Sequence, residues 1–354
     1  MKNLIYVFLL IVIESTATFA QPPTIHWQKY LGGTSGDLAY SIQQTVDGGY
    51  IVAGKTSSND GDVSGLHGMS DFWVVKLNSL GIIQWQKCLG GTAFDYAISI
   101  QQTADSGYIV TGYSTSNDGD VSGNHGSEDY WVVKLTATGG IQWQKSLGGA
   151  GRDVAYSIHQ TADLGYIVAG VSKSNDGDVS GNQGGNDYWI VKLDSTGVIQ
   201  WQKSLGGTGD DGQIWSSGSI SEPRLSIQQT ADSGYIVAGP SNSNDGDVSG
   251  NHGNYDYWIV KLTATGVIQW QQSLGGTGID YAYSIDQTAD SGYIVTGYST
   301  SNDGDVSGNH GSEDYWVVKL NATGVIQWQK SLGGAGSDVA YSIQHDYNRV
   351  RYSY

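Results

Sequence analysis

The chain has 354 residues, a net charge of −17 and a pI near 4.5, which excludes a nucleic-acid or anionic-membrane surface because both need Lys and Arg to neutralise phosphates. Nearly all the acid is aspartate, with Glu14, Glu128, Glu222 and Glu313 the only glutamates, and the shorter carboxylate suits turns and oxygen-ligand sites. One cysteine, Cys88, leaves no intramolecular disulfide, so core packing and hydrogen-bonded ladders must hold the fold.

The chain opens with Lys2 and an apolar run from Leu4 to Ile13, too short to span a bilayer but suited to the h-region of a signal peptide. Thr18, Phe19 and Ala20 then offer a cleavage site. Residues 1–20 are therefore expected to be a signal peptide and 21–354 a single secreted or surface domain. No later segment is apolar enough to insert in a membrane, and the domain reads as a monomer.

The tryptophan of the first "HWQK" is Trp27, and its counterparts in "IQWQ" fall at 85, 143, 201, 270 and 328, at spacings of 58, 58, 58, 69 and 58. Such a period marks a repeat architecture. Residues 102–135 and 287–320 are identical, which points to duplication within the gene. One unit predicts four strands: "DYAISIQQT" (95–103), "GYIVTGYS" (107–114), "DYWVVKL" (129–135) and "GIQWQKSL" (140–147). Each is rich in β-branched and aromatic residues and bounded by turn formers.

Four antiparallel strands in about 58 residues, with no helical period, predict a β-propeller blade. Strands a to d run outward from the axis, so the b–c and d–a loops share one face and concentrate the acid there. Five full blades run from about 37 to 331. An extra d strand, "IHWQKYL" (25–31), precedes them and an extra a strand, "DVAYSIQ" (338–344), follows, together predicting a partial sixth blade built from both termini. The last ten residues, "HDYNRVRYSY", break the repeat and read as a truncated or frame-disrupted end.

The b–c loop recurs in every unit. Counting from its first aspartate, "DGDVSGNHGSED" has Asp at 1, 3 and 12, Ser at 5 and Gly at 6, the oxygen spacing of an EF-hand calcium loop. The copies place Asp60, Asp62, Ser64 and Asp71; Asp118, Asp120, Ser122 and Asp129; Asp176, Asp178, Ser180 and Asp187; Asp245, Asp247, Ser249 and Asp256; and Asp303, Asp305, Ser307 and Asp314, with Gly65, Gly123, Gly181, Gly250 and Gly308 at the turn. A structural Ca2+ in each blade is one expectation. The other is that these residues are only turn formers, since flanking helices are missing, position 12 is Asp rather than Glu, and position 9 is Gly. His67, His125, His252 and His310 share one loop position that Gln183 takes in the third copy, with no second ligand nearby for a transition metal.

Between Gly207 and Ser226 the fourth d–a loop is expected to carry eleven extra residues, including Trp215, the candidate for binding a sugar or anchoring a protein. Cys88 stands where other copies have Ser146, Ser204, Ser273 and Ser331, the mark of drift rather than of a nucleophile.

The order "SIQQTADSGYIVTG", "DYWVVKL", "IQWQKSLGG" resembles the kelch-type blade, and more closely the tandem repeats of large secreted proteins of the Bacteroidota. The resemblance covers nearly all of 25–344 and implies the propeller fold. It also implies a C-terminal sorting domain for type IX secretion, which this chain lacks. The turn "TADSGY" (103–108) resembles the Asp box of sialidase-like propellers, with Val110 where that box closes on Trp; it reads as a hairpin device in which Asp105 bonds backbone amides. The resulting expectation is a non-enzymatic binding or scaffold module for an extracellular glycan or protein. The alternatives are a glycan-processing hydrolase or lyase, or the propeller portion of a larger surface adhesin.

Overall fold

The computed structural model describes residues 25–212 and 225–344. The expected signal peptide at 1–20, Trp215 and the final ten residues lie outside them. Among the described residues every regular element is a strand, and the twenty strands form five antiparallel four-stranded sheets, each ordered a-b-c-d in sequence. In the second sheet these are Asp95–Gln102, Tyr108–Ser114, Asp129–Leu135 and Ile141–Leu147, within about a residue of the predicted bounds.

Six inner segments meet at the centre. The Ser-Ile-Gln steps at 41–43, 99–101, 226–228 and 342–344, with Ile158-His159 and Ser284-Ile285-Asp286, line one axial channel of about 400 Å³. Side-chain bonds step from each inner strand to the next: Gln102 N donates to Gln43 Oε1 (2.6 Å), Gln160 N to Gln101 Oε1 (2.6 Å) and Ile227 N to Ser157 Oγ (3.4 Å). The fold is a β-propeller.

Stacking between blades explains the sequence of strands b and c. Each is covered on both sides, so both alternating faces must be apolar, and all seven residues of each are buried in the second, third and fourth blades. Tyr130 and Val132 point forward into the layer shared with the third blade, while Trp131, Val133 and Leu135 point back to Phe72 and Val74 of the first. The outer tryptophan packs edge-on against the first tyrosine of the next strand b, as with Trp85 and Tyr108 at 5.7 Å. Strand a carries a bulge at Ala97/Ser99 opposite Gly112, where a Cβ would lie 1.9 Å from the Tyr96 carbonyl oxygen. That contact accounts for the glycine of "IVTG" and "IVAG".

The sixth blade is present as its first and last strands. Trp27 meets Tyr50 at 5.6 Å, the position Trp85 takes on Tyr108. Asp338 N donates to the Glu313 carbonyl (2.7 Å) as Asp95 N does to that of Ser70 (2.8 Å). Neither segment has ladder partners among the described residues, and so neither forms regular strand. The fourth blade corrects one expectation: the insertion is not in the d–a loop. Asp211 occupies the place of Asp95, bridged to Ser241, and strand a resumes only at Ser226–Gln229. The Asp211 carboxylate thus fixes the start of that strand ahead of the extra residues in the sequence, which lie outside the described ones.

Candidate functional site

The b–c and d–a loops do share one face, because they are bonded to each other. In the second blade Asp118 Oδ1 accepts from Thr92 N and its Oδ2 from Thr92 Oγ1 (both 2.8 Å). Asp120 Oδ2 accepts from Gly90 N (3.3 Å), while its own amide donates to the Gly90 carbonyl (2.9 Å). The two Thr92 bonds hold the Asp118 carboxyl below the usual range. Val121 is buried and anchors the loop to the core. Gly91 must be glycine, since a Cβ there would lie 2.2 Å from Asp118 Oδ1.

Ser122 Oγ accepts from Gln144 Nε2 (2.6 Å), and Gln144 Oε1 accepts from Trp131 Nε1 (2.8 Å), joining loop, strand d and strand c. The same link joins Ser64, Gln86 and Trp73, and it recurs at Ser180, Ser249 and Ser307. Asp129 belongs to neither set. It sits fully buried at the start of strand c, where its Oδ2 accepts from His125 N and bonds His125 Nδ1 (both 2.8 Å). Asp71, Asp256 and Asp314 are paired in the same way with His67, His252 and His310.

The EF-hand spacing thus commits its residues to three different donor sets. Among the described residues no group of three or more His, Cys, Asp or Glu side chains is arranged to hold a metal ion. An EF-hand loop turns all its oxygens onto one point; here strand c draws the last aspartate inward and the d–a loop draws the first two outward.

Sequence reasoning missed the partner of Asp71, and with it the equivalent Asp153 beside Asp129. Asp95 opens strand a of the second blade, and its carboxylate accepts from Ser114 Oγ, from Ser116 Oγ (2.9 Å) and from Gly91 N (2.8 Å). A Cβ on Gly90 would touch both Asp95 Oδ2 and Asp71 Oδ1, so two buried carboxylates flank that glycine at the junction of blades. Oδ1 of Asp71, Asp129, Asp187, Asp256 and Asp314 has no hydrogen-bond donor among the described residues. Burial pushes Asp71, Asp129 and Asp256 up. Asp187 is raised to about 7 by burial and by the Asp211 and Asp247 carboxylates, against the Gln183 amide; Gln183 supplies no imidazole and turns its Nε2 to Asp247 instead (2.9 Å). The signal for these pairs was the aspartate that opens every inner strand, at 37, 95, 153, 211, 280 and 338.

The Asp-box turn is structural, as expected. Asp105 Oδ1 accepts from Gly107 N (3.0 Å) and from Thr103 Oγ1 (2.5 Å). It also binds buried Lys134, whose Nζ lies 2.9 Å from Oδ2, a partner the sequence reading did not name. Desolvation raises the carboxyl, but the Thr103, Lys134 and Gly107 bonds outweigh it and bring the group down to about 2. Burial first, then Asp71 and Asp37, push the Cys88 thiol up to about 12, which leaves it a poor nucleophile.

Two features of the described surface are concave. Between blades, a groove runs down the outer wall, lined by Ser122, His125 and Gln144 of one blade and Asp178 and Ile199 of the next. An equivalent groove of about 640 Å³ uses Ser249, His252, Gln271, Asp305 and Ile326. The other feature is the channel, where the third residue of the Ser-Ile-Gln step becomes His159 and Asp286. Burial pushes His159 down, with Asp286 acting in the opposite sense.

No protein family and no curated protein matches the sequence. Among solved structures, the chain is similar to a protein of unknown function from Bacteroides caccae, at 11% identity and TM-score 0.44, covering 85% of each chain. It is similar also to BamB from Moraxella catarrhalis, at 15% identity and TM-score 0.34, covering 85% of this chain and 79% of that one. Sqt1 from Chaetomium thermophilum matches at 12% identity and TM-score 0.41, over 86% and 74%. At these values the likeness carries nothing about function, and the propeller assignment stands on the sheets and channel of this chain.

Proposed function

We propose that this protein is a non-enzymatic, extracellular binding module that presents repeated polar grooves to a neutral glycan or a protein surface. The observation that carries the reading is repetition: each groove offers the same hydroxyl, imidazole and carboxamide from one blade and a carboxylate from the next. An active site assigns different residues to different roles at one point, whereas these loops repeat one assignment from blade to blade, with Gln183 in place of the histidine in the third. The net charge of −17 disfavours an anionic ligand. The apolar run at Leu4–Ile13 supports the extracellular part of the proposal. The loop carboxylates serve to tie loops together, and calcium enters only as an ion that would have to compete with the Thr92 donors for Asp118.

Titration calorimetry against neutral polysaccharides, with and without millimolar calcium, tests the proposal. Repeated grooves predict several equivalent sites, and Gln144→Ala with Gln271→Ala should weaken binding about tenfold through lost avidity. The observation favouring an enzyme is the departure of His159 and Asp286 from the channel repeat. Release of reducing ends by the parent protein, abolished by His159→Ala, would overturn the binding-module reading.

A further inference from the structure

In a chain of near-identical units, the positions where the copies disagree are those that core and backbone leave free. The residue before the strand-a aspartate is Gly36, Phe94, Arg152, Asp210, Ile279 and Ser337 in turn, six different side chains in six copies. Its surroundings do not vary. The aspartate that follows is the same in all six, and so is the glycine pair that opens the loop, as at Gly90 and Gly91. The backbone is held alike as well: Thr115 N donates to the Phe94 carbonyl and Lys173 N to that of Arg152 (both 2.9 Å), as Thr300 N does to that of Ile279 (2.8 Å). Changing side chains on a rigid frame are where binding residues concentrate.

The residue before strand c of each blade lies against this position in the next blade, and it varies too. Ser70 is bridged to Phe94, Tyr255 to Ile279 and Glu313 to Ser337. Glu128 Oε1 accepts from Arg152 Nε (3.1 Å), and Asn186 Nδ2 donates to Asp210 Oδ1 (3.0 Å). Each of these five junctions therefore carries a different pair on one backbone. A further hollow, of about 450 Å³, lies between the second and third blades, lined by Phe94, Tyr96, Tyr113, Thr115, Glu128 and Arg152. None of the six lines the outer grooves or the channel. Phe94 is 41% exposed and meets Tyr96 nearly edge-on, with ring centroids 6.1 Å apart; Tyr96 meets Tyr113 at 5.1 Å. Three aromatic rings and one ion pair thus share the lining.

Charge decides the class of ligand. A cation would meet Arg152, and Lys55 already lies over the Tyr96 ring at 4.0 Å, so that cation–π face is occupied. An anion would meet Glu128 on a molecule of net charge −17. What fits is a neutral ligand with an apolar face for the rings and hydroxyl groups for the pair, in which Arg152 donates and Glu128 accepts side by side. A pyranose ring has both, with C–H groups across its face and hydroxyls around its edge. The hollow also falls within the roughly 300–1,000 Å³ of small-molecule sites.

We propose that the hollow formed by Phe94, Tyr96 and the Glu128–Arg152 pair is a single binding site for a pyranose unit of a neutral saccharide. It takes one saccharide chain per molecule and stands whether or not the repeated outer grooves bind.

The molecule supplies its own control. The fifth blade repeats the second at Tyr281, Tyr298, Thr300 and Glu313, but has Ile279 for Phe94 and Ser337 for Arg152. Phe94→Ile with Arg152→Ser therefore installs residues that the same backbone already carries, and a Tm within about 2 °C of the parent confirms folding. Phe94→Ile alone, which keeps the ion pair, is the second variant. The test is titration calorimetry of the full chain against cellohexaose, laminarihexaose, maltohexaose, mannohexaose and xylohexaose. At least one should bind one per chain with Kd on the order of 0.1–1 mM. The paired substitution should weaken it at least about tenfold, and Phe94→Ile alone about three- to tenfold. The same titrations on the Gln144→Ala, Gln271→Ala chain keep this site apart from the grooves, so that several equivalent weak sites are not mistaken for it. The proposal is overturned if no hexasaccharide binds with Kd below about 10 mM, or if the paired variant binds as tightly as the parent. A decaproline peptide that binds the parent but not the paired variant, where no saccharide binds, would also overturn it by making a protein the partner.

Discussion

At the scale of single residues, the third loop is a substitution made within the molecule itself. Four junction aspartates have an imidazole on Oδ2, and Asp187 has only the Gln183 amide, with its pKa raised to about 7. A carboxyl whose folded pKa lies above its unfolded value near 3.8 makes the native state bind the extra proton. Its stability contribution is full at low pH and is lost as pH rises from about 4 through about 7. Asp187→Asn removes that loss, and its amide can donate toward the Asp211 carboxylate, which flanks the same glycine, Gly206. Denaturant unfolding should therefore find Asp187→Asn more stable than the parent by about 1–3 kcal/mol at pH 8 and nearly equal at pH 4. Gln183→His should recover part of the difference. Equal stability of parent and Asp187→Asn at pH 8 would mean that Asp187 is ionised without penalty.

At the scale of elements, the "LGGT" and "SNDGDVSG" stretches form one device. The second glycine of the pair lets the d–a loop lie against the b–c aspartate, at Gly91 on Asp118 and at Gly149 on Asp176. Gly334 holds the same place in the sixth blade, yet a Cβ there meets nothing within 4 Å, with no b–c loop opposite it among the described residues. Gly91→Ala should cost about 1–3 kcal/mol by forcing the loops apart, and Gly334→Ala should be neutral, as thermal unfolding of the two variants will show. Equal loss in both would place the need for glycine in the backbone of the d–a loop itself. The strands were legible because their signals are local: tryptophan period, β-branched runs and turn residues fix Asp129–Leu135 without reference to anything distant. The loops were not. Asp118, Asp120 and Asp129 lie on a calcium-like spacing in one stretch of chain, but their partners Thr92, Gly90 and His125 come from two different loops. Likewise Asp211 reads as a loop residue until Ser241 and Ser243 are seen to hold it at the head of a strand.

At the scale of the whole molecule, an arc of stacked blades does not share its stability evenly. Each blade buries its faces only against its neighbours, so the third, flanked on both sides, has all seven residues of strands b and c buried. In the fifth blade, Tyr315 and Val317 of strand c and Ile294 and Tyr298 of strand b lose that cover. In the first blade the whole inner strand, Asp37–Gln44, is exposed or half-buried. Local opening free energy follows such burial. Native-state hydrogen exchange should therefore release 338–344 and 25–31 first, then strands b and c of the fifth blade and strand a of the first, and the ladders of the third blade last, with a spread of at least about tenfold in rate between fifth and third. The identical stretches 102–135 and 287–320 make the comparison internal: their sequences agree residue for residue, so intrinsic exchange and strand propensity cancel. Any difference in protection between Tyr130 and Tyr315 then measures the difference in cover alone. Equal protection at those two positions would mean that the fifth blade is covered in solution as the second is.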